Sequence, residues 1–194
     1  MSNSEILDDI LRRAIDRRHI HIFGEISTEV STEIVGLLTQ WEETPDPTPI
    51  KIYINTFGGQ LSSAFAIADI VENNKLPVVT YGIGQVFSAG FIILLSGIKR
   101  YLYPNTDLMF HNFSTSIDST KQKDLYNLIS YRELTSKKII EYLKRKTRLP
   151  DIYYKRMFDN QEDVYMTPEE ALKYGVVDDI IKFDIGSVSK KKKK

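Results

Sequence analysis

One serine at the mouth of an apolar helix, three histidines and no cysteine bound the chemistry open to this chain. In GQVFSAGFIILLSG, residues 84–97, Ser88 stands between a turn and a run that otherwise reads as buried core. A serine hydroxyl becomes a nucleophile only with a base in reach, an acid behind that base, and donors for the oxyanion. Backbone N–H groups at a helix start stabilise negative charge, and Gly90 lets the backbone pack closely there. The structural alternative is that Ser88 simply caps a core helix, since Ser is a favoured N-cap. The stretch is strand, turn, helix in outline but does not match the G-x-S-x-G elbow.

The candidates for a base are His19, His21 and His111. His19 and His21 fall on one face of an early strand, as surface or interface residues do. His111 follows the apolar DLMF, so a strand carries it from the core to an edge. NTFGG, residues 55–59, ends another strand with two glycines. They serve either a turn needing positive φ or a backbone that turns an N–H towards a reacting carbonyl. Other chemistries are excluded by pattern. GIGQVF has Phe87 where a dinucleotide fingerprint needs glycine, and there is no phosphate loop and no H-E-x-x-H. No metal or cofactor is expected, and the absence of cysteine removes disulfides and thiolate sites.

These residues need a scaffold, and the periodicity supplies one. The pattern predicts a helix over 4–16, a strand over 18–26 ending at Gly24, and an amphipathic helix over 27–43. A strand follows at 50–55, a helix at 60–74 and a strand at 77–84, then the helix starting near Ser88. Two short strands flank PNT within 99–113. A long helix covers about 119–146, and a further helical stretch 151–159. A Thr-capped helix from 167, a stop at Gly175 and a final strand close the fold. Strand, crossover helix and strand recur, which argues for a partly parallel sheet with helices outside it.

The 194 residues are 42% hydrophobic, which suits one domain. Lys+Arg and Asp+Glu balance at 26 each, so no global field favours nucleic acid or an anionic membrane. Five of the basic residues are Lys190–Lys194 at the extreme C-terminus, a run that ordinarily stays solvated. The longest apolar stretch, 89–98, is too short to span a bilayer, and the N-terminus has no signal-peptide core, so a cytoplasmic protein is expected. The division expected is an N-terminal helical segment (1–17), a catalytic domain (18–183) and a lysine-rich tail (184–194).

Four segments then fall in one order: YINTFGG, GQVFSAGFIILLSG, KRYLYPNTDLMFHN and QEDVYMTPEEALKYGVVDDI. Together they resemble the proteolytic subunit of the Clp protease, over about residues 20–181. The resemblance implies an α/β, crotonase-like (ClpP-type) fold of stacked βαβ units with a protruding handle helix. It implies a serine endopeptidase cutting unfolded polypeptide within paired heptameric rings fed by an AAA+ Clp ATPase. Its nucleophile falls on Ser88, its base on His111 and its aspartate on Asp163. Its oxyanion donors are the N–H groups of Gly59 and Ala89. Its substrate strand would lie along Gly58, Phe113 and Ser114, and its ATPase-docking face includes Lys51 and Tyr53.

The chain also departs from the family pattern. HNFSTS puts Asn112 and Phe113 where the family often has H-Q-P. Glu162 replaces an arginine beside the aspartate that bridges rings, and Lys51 replaces an aromatic of the docking face. With the unusual termini, these suggest a divergent member of a kind carried by phages. The alternatives are a catalytically silent ring subunit, a phage maturation protease working without an ATPase, a crotonase-fold enzyme on acyl-CoA thioesters, and a lysine-tailed nucleic-acid binder.

Overall fold

The computed structural model describes residues 3–113 and 122–182. The elements follow the periodicity: α1 (Asn3–Asp16), β1 (His19–Ile26), α2 (Thr28–Glu42), β2 (Ile50–Gly59), α3 (Leu61–Asn73), β3 (Val78–Phe87) and α4 (Ala89–Ser96). Then come β4 (Lys99–Leu102), β5 (Asp107–Phe110), α5 (Gln122–Lys146), α6 (Asp151–Tyr154) with a π-helical turn Lys155–Asp159, β6 (Val164–Met166), α7 (Pro168–Lys173) and β7 (Asp179–Ile180). The sheet runs β1-β2-β3-β4-β7 with every neighbouring pair parallel, so successive strands must be joined by crossovers. This is the stacked βαβ architecture expected from the sequence.

Two faces of that sheet differ, and the period-two pattern says why. In β2, Ile50, Ile52 and Ile54 are fully buried while Lys51, Tyr53 and Asn55 are half-buried. The isoleucine face meets α4, and α3 packs against α4 in turn. All eight residues of α4 are buried, so it is the central helix of the core. On the other face, His21, Tyr53, Tyr81 and Tyr101 occupy in-register positions on β1 to β4. Their rings stack in sequence at 5.4, 4.9 and 5.2 Å between centroids.

β3 forks the sheet. Val79–Gly82 pair with β4, whereas Gln85–Phe87 pair with β5. A register shift between the two halves permits the change of partner, and Asn55 Oδ1 bridges it by accepting from the Gln85 N–H (3.2 Å). β5 in turn takes β6 antiparallel. The three strands β3, β5 and β6 thus form a small end-sheet at the C-terminal ends of the main strands, where open α/β sheets place their sites.

The structure moves several predicted boundaries. β1 does not end at Gly24 but continues through a bulge between Phe23 and Glu25 to Ile26. β2 runs on through the two glycines, and β3 through to Phe87. Glycines broke the apparent strands in the sequence, yet the parallel neighbours carry the pairing past them. The second half of the 151–159 stretch is a π-helical turn, which 3.6-residue periodicity does not reveal. α7 begins with a full capping box between Thr167 and Glu170, as the sequence indicates. α5 is the handle-like helix and starts at Gln122; the predicted start near 119 lies outside the described residues.

Candidate active site

Strand register delivers each candidate side chain to one place. β3 ends at Phe87, and the Ser88 N–H donates to the Met109 carbonyl of β5 (2.9 Å). Phe110 lies opposite Val164 in the antiparallel β5–β6 pair, so the next step along each strand sets His111 across from Asp163. The result is a relay. His111 Nε2 is 2.8 Å from Ser88 Oγ, and His111 Nδ1 is 3.1 Å from Asp163 Oδ1. Such a chain of contacts orients an imidazole so that its free nitrogen can accept the serine proton.

The two readings of Ser88 separate here. It precedes α4, but its side chain makes no capping hydrogen bond. Its backbone sits at φ 53°, ψ −116°, a region that non-glycine residues rarely adopt. A serine placed only to cap would sit in extended backbone with its hydroxyl on the helix N–H groups, as Ser27 does at α2. Ser88 instead points its hydroxyl at His111.

The glycine pair is shaped by close approach. Gly58 has φ 115°, and a Cβ there would lie 2.8 Å from Ser88 Cβ. Gly59 has φ 150°, and a Cβ there would lie 2.3 Å from the Ile26 carbonyl oxygen. Thr56, fully buried, accepts the Gly58 N–H (3.0 Å) and donates to the Gly24 carbonyl, tying the loop to β1. Gly90 has a similar reason: a Cβ there would meet Thr56 Cγ2 at 2.3 Å. Thr56 was not singled out from the sequence; its burial beside three glycines is a tertiary fact.

A cavity of about 180 Å³ opens over these groups. Gly59, Ser88, Ala89, His111 and Phe113 line it together, and Gly58 is not among its lining residues. Leu61, Phe110 and Ile139 complete an apolar wall that the sequence reading missed, because Ile139 comes from the distant α5. Ser114 lies outside the described residues. Lys51 and Tyr53 are not in the cavity; they sit six or more residues back along β2, on the stacked aromatic face. Among the described residues no group of His, Asp and Glu is arranged to hold a metal ion, and no helix is long and apolar enough to cross a membrane.

The acid side has its own support. Glu162, beside Asp163, accepts from Arg156 Nε (2.7 Å) and Asn160 Nδ2 (2.8 Å), and these donors hold its carboxyl below the usual range. His19 and His21 stay on the outer face of β1, where burial pushes both imidazoles down.

One prediction follows from the tightness around Gly59. If the Gly59 N–H serves the oxyanion, as the resemblance implies, Gly59→Ala should displace it from the cavity and lower kcat by about 10²–10³, the cost of losing one oxyanion donor. Peptide hydrolysis assays on the folded variant check this; full activity would mean the Gly59 N–H takes no part.

Comparison with known proteins finds relatives over most of the chain. Residues 2–184 match the family model described as Clp protease. The chain is 32% identical over 183 residues to the ATP-dependent Clp protease proteolytic subunit of Deinococcus radiodurans, covering 89% of this chain and 84% of that protein. It is 28% identical over 187 residues to the same-named protein of Bdellovibrio bacteriovorus, covering 93% of this chain and 86% of that one. Among solved structures it resembles a ClpP1 point mutant from Listeria monocytogenes, with TM-score 0.70 and 29% identity over 91% of this chain and 98% of that one.

Proposed function

Because this chain belongs to the Clp protease family, we propose that it is the proteolytic subunit of a Clp-type protease, a serine endopeptidase acting on unfolded polypeptides. The observation that carries the catalytic part is the hydrogen bond between Ser88 Oγ and His111 Nε2 (2.8 Å). A silent ring subunit would have no need of that contact.

The geometry supports the following steps. Ser88 Oγ attacks the scissile carbonyl carbon while His111 Nε2 takes its proton. Asp163 accepts from His111 Nδ1–H and stabilises the imidazolium. The carbonyl oxygen, now negative, turns towards the N–H groups of Gly59 and Ala89. The intermediate collapses, the C–N bond breaks, and His111 returns the proton to the leaving amine. Water then enters by the same route and releases the acyl group from Ser88. The apolar wall of Leu61, Phe110, Phe113 and Ile139 suits a hydrophobic side chain on the residue before the cut.

Assembly into heptameric rings, singly or as a stacked tetradecamer, is part of the proposal. Its support is the apolar surface that the lone chain leaves exposed. Leu125, Tyr126, Ile129 and Leu134 on α5, and Ile6, Leu7 and Ile10 on α1, are all exposed. A cytoplasmic setting, where unfolded protein would be delivered, belongs to the same proposal.

Docking of an AAA+ Clp ATPase is assigned to the stacked face of Tyr53, Tyr81 and Tyr101. Lys51 flanks it with a charge, in the neighbouring row between His19 and Val79. Lys51→Tyr should therefore tighten ATPase docking by about 0.5–1.5 kcal/mol, the value of an added aromatic pair. The half-saturating ATPase concentration in degradation of an unfolded substrate reads this, and an unchanged or raised value would remove Lys51 from the docking face.

The first test is labelling with a fluorophosphonate and mapping of the adduct by peptide mass spectrometry. Adduct on Ser88, absent after denaturation, supports the reading. Efficient turnover of peptides by protein that never labels at Ser88 would overturn it.

A further inference from the structure

We propose that Arg156 is a positioning residue that, through Glu162, holds the Asp163 carboxylate against His111. The proposal rests on the triad reading above and adds to it a part of the chain outside the cavity. Asp163 is an unusual orienting acid because its side chain is 54% exposed, so core packing does not fix it. β6 behind it has only three residues, and just Val164 and Met166 are anchored in the core. Something on the other side of Asp163 must set its direction.

The three residues before Asp163 are folded back onto the π-helical turn. Asn160 N–H donates to the Lys155 carbonyl, and Glu162 N–H donates to the Arg156 carbonyl, both at 2.9 Å. Gln161 between them is left-handed, with φ 55°, which reverses the chain. The side chains close the same loop: Arg156 Nε donates to Glu162 Oε2 at 2.7 Å, and Asn160 Nδ2 donates to Glu162 Oε1 at 2.8 Å. The π-helical turn matters here, since its wider ring leaves the Arg156 carbonyl facing the returning strand. Both oxygens of Glu162 are thus occupied, and the residue after it is delivered to His111 Nδ1.

Arg156 acts on charge as well as on direction. Glu162 and Asp163 are adjacent carboxylates, and an unpaired Glu162 would repel Asp163 or compete for the imidazolium. Paired with Arg156 and Asn160, both Glu162 oxygens are engaged by donors outside the relay. The two side chains are about 40% exposed, so the pair contributes little to global stability. Its removal should reach catalysis without unfolding the chain.

The experiment compares Arg156→Ala, Glu162→Arg, and the double exchange Arg156→Glu with Glu162→Arg, using a fluorogenic peptide and thermal unfolding. Each single change should lower kcat by roughly 10- to 100-fold, the cost of a misplaced catalytic group, with KM and melting temperature nearly unchanged. The double exchange restores the pair in the opposite sense and should recover most of kcat, a coupling that loss of bulk alone would not show. Unchanged kcat in the single variants, or no recovery in the double exchange, overturns the clamp while leaving the triad standing. A parent protein that turns over peptide after Ser88→Ala removes the triad itself, and the clamp with it.

Discussion

Replacing Ser88 with alanine should abolish peptide hydrolysis, lowering kcat by on the order of 10⁶ as nucleophile loss does in another serine protease, and should abolish fluorophosphonate labelling. His111→Ala should cost about as much, because the two act as a unit across their 2.8 Å contact. Ser88→Gly sharpens the test. The nucleophile sits at φ 53°, ψ −116°, a conformation costing a non-glycine residue about 1–3 kcal/mol. Glycine relieves that strain but adds unfolded-state entropy of about 0.5–1 kcal/mol. The net gain of about 1 kcal/mol should raise Tm by roughly 2–4 °C in a chain of this size while activity stays absent. Differential scanning fluorimetry beside the activity assay checks the pair of outcomes. A Ser88→Gly variant melting below the parent would show that the backbone there stores no strain, and residual turnover above about 10⁻⁴ of the parent would deny Ser88 the nucleophile's role.

That strain explains what the sequence could and could not convey. The amphipathic α2, the alternating isoleucines of β2 and the Thr167 capping box follow from local periodicity and local hydrogen bonding, and the structure has them where the pattern puts them. The resemblance carried by four segments implies Ser88, His111 and Asp163 as partners, and the contacts run from Ser88 to His111 and from His111 to Asp163. What periodicity alone leaves open is whether Ser88 caps α4, because that depends on its φ angle just past the end of β3, where β3 pairs with β5. The strands run past the ends the local pattern gives them, Gly24 in β1 and Asn55 in β2, for the same reason: a glycine weakens a strand locally, and only its neighbour in the sheet says whether pairing continues. The apolar wall needed Ile139 from α5, and the Asp163 clamp needed Arg156 six residues before Glu162 in a π-helical turn. Glu162 stood out in the sequence as a departure from an arginine, but its partner was visible only after folding. Ile139 reaches the cavity by long-range packing, whereas Arg156 meets Glu162 through a π-helical turn that 3.6-residue periodicity does not show.

The exposure of Asp163 leads to the second large expected effect, and to an unusual ranking of variants. Asp163→Asn should lower kcat by about 10⁴, although asparagine matches aspartate in shape. Its amide can donate to His111 Nδ1, which would put the ring proton on Nε2, the atom that must accept from Ser88. In a buried triad, removing the acid altogether leaves an unsatisfied N–H as well as a loose ring. Here the carboxylate is more than half exposed, so Asp163→Ala lets water accept from Nδ1–H and leaves Nε2 free to act as base. The alanine variant should therefore retain more activity than the asparagine variant, with both still binding peptide because neither touches the apolar wall. Added formate or acetate should raise the alanine variant further and leave the asparagine variant unmoved, since a small carboxylate fits only the vacated position. Steady-state kinetics of the two variants with and without the anion decides it. An alanine variant slower than asparagine, with no response to formate, would mean that Asp163 is enclosed during turnover and that assembly or substrate covers it before the bond is cut.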